Sequence, residues 1–223
     1  MRMMGVFEKG ERIRHIGHLD IQRSMQRGLR RSGLPVAYSN GFNPHILISF
    51  ASALSTGAAG KREIMDVTMT ESITAELFLE KMNRAMPQEL HVFEAKPLDD
   101  KHPAMMNMVR AAEYLLRIDD PEAESMISFI PQLLEKEEVT AMRKTKTTLK
   151  ECNIRPLILS LSAEANYIRA RLVLNEREAC KPGMLLEALS REAGREQVPR
   201  MLVTRTGLLG ENEAGELVPL ETL

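Results

Sequence analysis

Apolar and polar positions along the chain alternate at first with a period of two and then change period. Met3-Met4-Gly5-Val6-Phe7 reads as an opening strand. Arg12-Ile13-Arg14-His15-Ile16 mixes polar and apolar positions and is read as a continuation of the strand after Gly10, broken by Gly17. From residue 18 to 32 the period is helical, with Ile21, Met25 and Leu29 on one stripe. Asp20 complements the free N–H groups of the first turn, Arg30 and Arg31 sit in the last, and Gly33 follows as a stop. Short strands are predicted over 35–39 and 46–51, a flexible basic turn over 57–62, and an alternating strand over 63–70. Ser72 is the expected cap of a helix to residue 85 that buries Ala75, Phe78, Leu79, Met82 and Met86; Pro87 ends it, and 90–95 is a strand.

The second half repeats this organisation without repeating the sequence. A strand is predicted over 113–118, and Asp120-Pro121 opens a helix towards 137 in which Pro131 predicts a kink or break. A basic stretch, 143–150, follows. Strands over 155–161 and 167–174 form a hairpin, 182–193 is a helix closed by Gly194, and 200–208 is the last strand. Each half reads β-α-β-β-α-β. The expected fold is α+β, two tandem ferredoxin-like units with antiparallel sheets. The expected boundaries are a first domain at 1–98, a Met-rich linker at 99–110, a second domain at 111–210 and a frayed acidic tail at 211–223.

Charge changes this picture. The 223-residue chain has a formal net charge of −1, yet residues 1–62 carry +7 and the remainder −8. A basic first quarter on an acidic chain points to a localised anionic partner, or to a solubilising helix face beside an acidic domain. Arg23, Arg27, Arg30 and Arg31 fall on one side of the first helix, and Arg14, His15 and His18 precede them. Arg143, Lys144, Lys146, Lys150 and Arg155, with hydroxyls from Thr145, Thr147 and Thr148, form a second basic cluster. Gly28 inside the first helix costs roughly 1 kcal/mol against Ala, which close packing on a neighbour would explain.

Between the first helix and the following strand lies Tyr38-Ser39-Asn40-Gly41-Phe42-Asn43-Pro44-His45. Asn40-Gly41 and Asn43-Pro44 are both turn signals. They set Tyr38, Phe42, Asn43 and His45 at a strand entrance, where rings and polar heads can meet a ligand. A tight hairpin with Phe42 folded onto the core is the alternative.

Cys152 and Cys180 are the only cysteines and make no CxxC. A four-cysteine zinc site and a self-contained iron–sulfur site are excluded, and both thiols read as small buried hydrophobes. No apolar run reaches 18 residues and no secretory leader is visible, so a soluble cytoplasmic protein without a membrane partner is expected.

The stretch Gly17-His18-Leu19-Asp20, the run Arg30-Arg31-Ser32-Gly33-Leu34-Pro35-Val36-Ala37-Tyr38-Ser39, and Gly41-Phe42-Asn43-Pro44-His45 ahead of Ile48-Ser49-Phe50-Ala51 resemble one family. It is the uncharacterised radical-SAM-associated family, whose members occur fused behind, or encoded beside, a radical-SAM protein. The resemblance covers most of the chain and is sharpest over 12–66. This chain departs from it at Ile46-Leu47, where the family often has Pro-Lys, and at Leu54-Ser55-Thr56-Gly57, where a Leu-Pro-Leu-Gly-like turn is common. One cation beside His45 is thus missing. The resemblance implies a radical-SAM partner and leaves the activity open.

Three functions are compatible with these residues. The first is an accessory protein that binds an RNA substrate for tRNA or rRNA modification or processing, through Arg14, His15, His18, Arg23, Arg27, Arg30, Arg31, Tyr38, Phe42, Asn43, His45, Lys144, Lys146, Lys150 and Arg155. Arginine supplies planar, bidentate phosphate contacts, and single aromatics stack bases. The second is an interaction module that docks on the radical-SAM partner without RNA. The third is a His-based RNA-processing enzyme, which requires His15, His18, Asp20 and His45 to converge as a metal site or an acid–base pair. No P-loop, GxGxxG or nucleophile elbow occurs, so no complete catalytic motif, cofactor or metal site, and no DNA partner, is expected.

Overall fold

A computed structural model describes residues 1–119, 121–144 and 148–223, with the side chains of 121–124 and 144 left out. The chain is mixed α+β and divides into two compact units, residues 1–109 with 207–223, and residues 110–206.

In the first unit, β1 (Arg2–Lys9) is almost wholly buried. It stops at Gly10, and the expected continuation to Ile16 is instead a 3-10 turn, Glu11–Ile13. The cause is Lys9. Its ammonium is 2% exposed and donates to the Arg14 carbonyl at 2.9 Å, folding the chain back on itself. The apolar positions of this stretch, Ile13 and Ile16, are three apart, a spacing that suits a turn better than a strand. Helix α1 (His18–Ser32) buries Ile21, Met25, Gly28 and Leu29 and ends at Gly33, φ 65°. A Cβ on Gly28 would lie 2.1 Å from Met86 Sδ, so the mid-helix glycine admits a close neighbour.

After α1 the chain makes single bridges, Val36 to Met69 and Tyr38 to Ile46, before β2 (Ile48–Phe50). The long β3 (Ala58–Thr68) absorbs the stretch expected as a flexible turn. Gly60 is a strand residue there. A Cβ on it would come 2.5 Å from the Glu63 carboxylate, so glycine serves close approach and not flexibility. Helix α2 (Ala75–Ala85) begins later than expected, because Thr74 and not Ser72 caps it: Leu77 N–H donates to Thr74 Oγ1 at 3.2 Å. Thr74→Ala should therefore cost about 1 kcal/mol in chemical denaturation, and Ser72→Ala close to nothing. Equal costs would mean that the cap is shared.

β4 (Val92–Leu98) joins a sheet in which β4, β1 and β3 lie side by side and β2 pairs with β3 off that path, each of these pairings antiparallel. Both helices cover one face, where Met3, Phe7, Met25, Leu29, Met65, Val67, Phe78 and Met82 form the core. The opposite face carries Arg2, Arg62, Asp66 and Glu94 by alternation. It is covered by the chain's later segments. Arg2 Nε donates to Asp66 at 3.0 and 3.2 Å, and its Nη atoms reach the His102 and Pro103 carbonyls. These hydrogen bonds to Asp66 hold the Arg2 guanidinium above its ordinary pKa. Met105, at the start of α3 (Met105–Met108), is buried. The tail expected to fray is packed instead. β11 (Leu217–Pro219) pairs with the end of β10 (Met201–Glu211), Leu220 is fully buried, and the Glu221 carboxylate accepts from Arg62, which also binds Glu94.

In the second unit the strand order is β10-β5-β9-β8, with β10 contributing residues 201–206. β5 (Ala111–Ile118) and β8 (Ile158–Glu164) each pair antiparallel with β9 (Tyr167–Val173). Asp120, expected to cap a helix, lies outside the described residues. Pro121–Phe129 is a 3-10 segment, and α4 (Ile130–Glu135) starts afresh with Pro131 in its first turn, where the missing N–H costs nothing. The basic stretch enters a separate hairpin of β6 (Thr140–Lys144) and β7 (Leu149–Asn153). Helix α5 (Pro182–Glu192) is followed by Gly194 at φ 68°. Burial, with a smaller push from Cys152 and an opposing pull from Arg143, drives the Cys180 thiol up to about 12.

Candidate functional site

Arg23, Arg27, Arg30 and Arg31 are all exposed on α1, as their spacing predicts. They are not equivalent. Arg23 donates to Asp20 at 2.9 Å, an exposed pair one turn apart. Arg31 donates to the Ala85 carbonyl at 2.7 Å and so closes the C-terminal end of α2. Arg27 and Arg30 make no hydrogen bond or ion pair among the described residues. The stripe of four thus reduces to two free guanidiniums. Asp20 was visible three residues before Arg23; the Arg31 contact, 54 residues away, has no local signal.

The junction ahead of α1 is more committed. Arg14 is half-buried, its Nε donates to His15 Nε2 at 3.3 Å, and its carbonyl holds Lys9. His15 is exposed. His18 is half-buried and meets Phe50 edge-to-face, ring centroids 5.2 Å apart at 81°. It lines a cavity of only about 10 Å³ with Phe7, Lys9, Ser52 and Glu63. His45 lines a different cavity, and the two share no residue. Among the described residues no three His, Cys, Asp or Glu side chains gather to hold a metal ion.

The turn between α1 and β2 stands clear of the core. Ser39 N–H donates to the His45 carbonyl at 2.8 Å, and Gly41 takes φ 117° at the tip. Phe42 is wholly exposed, Tyr38 is 46% exposed, and Asn43 is exposed. The hairpin with Phe42 folded inward is therefore not what forms. His45 is held twice by Ser39: its backbone N–H donates to Oγ at 3.1 Å, and Oγ lies 2.8 Å from Nδ1. Oγ accepts the first bond and pairs with Nδ1 in either tautomer, donating its own proton or accepting through its second lone pair. Sequence reading singled out His45 but missed Ser39, whose role depends on the turn closing.

In the second unit Lys150 is exposed on β7 opposite Arg143, and the Lys144 backbone lies on β6 opposite Leu149. Lys146 lies outside the described residues, as do Thr145 and Thr147. Arg143 donates to the Ala179 carbonyl at 2.9 Å. Arg155 is half-buried and gives Nε and Nη2 to the Leu134 carbonyl at 3.1 and 2.9 Å. Both guanidiniums fasten backbone, so the phosphate-facing capacity of this cluster is smaller than its composition suggests.

No helix among the described residues is long and apolar enough to cross a membrane. No curated protein matches the chain. A family model described as "Uncharacterized protein conserved in bacteria (DUF2344)" matches residues 2–182, a span that takes in α1, the 38–45 turn and both sheets' first strands. The chain therefore belongs to this bacterial family, DUF2344.

Proposed function

We propose that the chain is a cytoplasmic accessory protein of a radical-SAM enzyme and presents an RNA substrate to it. The radical-SAM partner is taken from the resemblance over residues 17–51. The RNA is taken from α1 and the turn after it. We also read both units as ferredoxin-like. Their strand pairings, β4-β1-β3 with β2 on β3, and β10-β5-β9-β8, each set the last strand beside the first and the third between first and second, as a split β-α-β unit requires.

One observation carries the RNA reading: Arg27 and Arg30 extend from α1 with their donors unspent, on a quarter of the chain that carries +7. Two adjacent guanidiniums repel each other in the free protein, and phosphates relieve that repulsion. Phe42 supplies a stacking face with no cost of exposure beyond the one already incurred. The second reading, a docking module for the partner, is favoured by Leu19, 64% exposed at the start of the same helix.

The test is RNA affinity against salt. Each phosphate neutralised on a single strand contributes a log–log slope of roughly −0.7. The variant R27Q/R30Q should flatten the slope by about 1.4 and keep its melting temperature, since exposed charge changes move stability by under about 0.5 kcal/mol. An unchanged slope, with partner capture lost in Leu19→Ser, would favour the docking module.

A further inference from the structure

We propose that the cavity beside the 38–45 turn holds one unpaired nucleobase, hydrogen-bonded by His45, Ser49 and Thr68 and stacked on Phe42. The proposal rests on the RNA-binding reading above and specifies which part of the RNA this site takes.

The cavity measures about 300 Å³ and is lined by Arg2, His45, Ser49, Asp66 and Thr68 with the chain at 46–48. Its polar members share the sheet face turned away from α1 and α2. Ser49 lies directly opposite Asp66 across the β2–β3 pair, and alternation puts Thr68 on the same side. That face is elsewhere covered, but at the entrance to β2 it is open.

The charges in the cavity decide the ligand class. Arg2 is the one cation in the lining, and its guanidinium is spent on Asp66 and on the His102 and Pro103 carbonyls. The two form a self-neutralised floor. A phosphate would find no free cation there and a buried carboxylate beneath it. A nucleobase edge needs no net charge, only donors and acceptors in a plane. These are available. Among the described residues the hydroxyls of Ser49 and Thr68 make no hydrogen bond, and either can donate or accept. His45 Nε2 can donate or accept according to tautomer, and its ring is held by Ser39 through Nδ1 at 2.8 Å.

The fourth element is Phe42, three residues before His45. Pro44 restricts the backbone between them. An apolar ring left entirely in water on an ordered turn gains most from a flat apolar partner. Phe42 stands outside the lining itself, and the proposal sets the face of a base on that ring while the edge of the base enters the cavity. The division of labour follows: Arg27 and Arg30 take phosphates, and the turn takes a base.

The experiment uses the full chain and a uridine-rich single-stranded RNA carrying one 2-aminopurine. Binding should quench the 2-aminopurine, and Phe42→Ala should abolish the quench. His45→Ala should weaken binding by about three- to tenfold with the salt slope unchanged, as for a lost neutral hydrogen bond. His45→Gln, whose amide can donate or accept near the position of Nε2, should recover most of that loss. Ser39→Ala should fall between them, because it frees the ring without removing it. His45 and Phe42 are exposed, so these variants should fold, as melting would verify. RNA binding that none of the four variants alters overturns the pocket and leaves the RNA reading intact. A salt slope flattened by His45→Ala would identify a phosphate at this site and also overturn it. No RNA retention by the parent at low salt would sink both.

Discussion

Asp66→Ala is expected to lower the stability of the first unit by about 3 kcal/mol, among the largest single-residue effects in the chain. Asp66 is 6% exposed and the Arg2 side chain 16%. Removing the carboxylate leaves a guanidinium in a poorly hydrated place with the His102 and Pro103 carbonyls and the more distant charge of Asp100. The loss is larger than the worth of the pair, because an unpaired buried charge is penalised in full. The double variant R2M/D66L should accordingly recover much of the deficit, since an apolar pair of similar volume is often close to neutral. Urea denaturation of the two variants checks this. A single-variant loss near the 0–1 kcal/mol of an ordinary surface pair would show that Asp66 is better hydrated than its burial indicates.

Leu220→Ala should cost about 3 kcal/mol as well, by a different route. Leu220 is fully buried in a segment whose composition is acidic. Its packing is close: a Cβ on Gly210 would lie 3.0 Å from Leu220 Cδ1 and 2.5 Å from Leu223 Cδ1. Truncation to Ala leaves a void beside a glycine that cannot fill it. Glu221, 4% exposed on Arg62, makes collapse of the segment into that void difficult. The denaturation midpoint should fall with no change in slope. A frayed tail would give no shift at all, so the measurement separates the two descriptions directly.

What could be read in advance follows the range of the interactions. Helix α1 was legible from end to end because fifteen residues of 3.6 periodicity, a first-turn Asp and a terminal Gly all agree. β9 was legible from its alternation, and α5 from its periodicity and the glycine that follows it. Three gaps in that reading share a cause. Gly60 looked like part of a flexible basic turn, because composition does not say that the Glu63 side chain lies across it. The tail looked frayed, because Glu221 finds its partner 159 residues away. The contact of Arg155 with the Leu134 carbonyl was not foreseen, because that carbonyl lies 21 residues earlier. At the candidate site the exposure of Arg27 and Arg30 was readable from spacing alone. The Ser39–His45 pair was not, since it requires the turn to close before either residue has a partner.

β10 gives its residues 201–206 to one unit and 207–211 to the other, so the first unit is discontinuous in the chain. This has a consequence for synthesis. Chains emerge N-terminus first, and compact units generally fold as they are completed. When residue 109 leaves the ribosome, α1, α2 and their core are all present, yet one face of the sheet still lacks Leu220 and the Glu221 carboxylate that binds Arg62. That face stays wet, and its edges stay available to wrong partners, until about another hundred residues have been made, roughly 5–20 s of elongation at bacterial and eukaryotic rates. Folding of the first unit is thereby coupled to completion of the second, and a nascent chain halted between the two is the species that chaperones would have to hold.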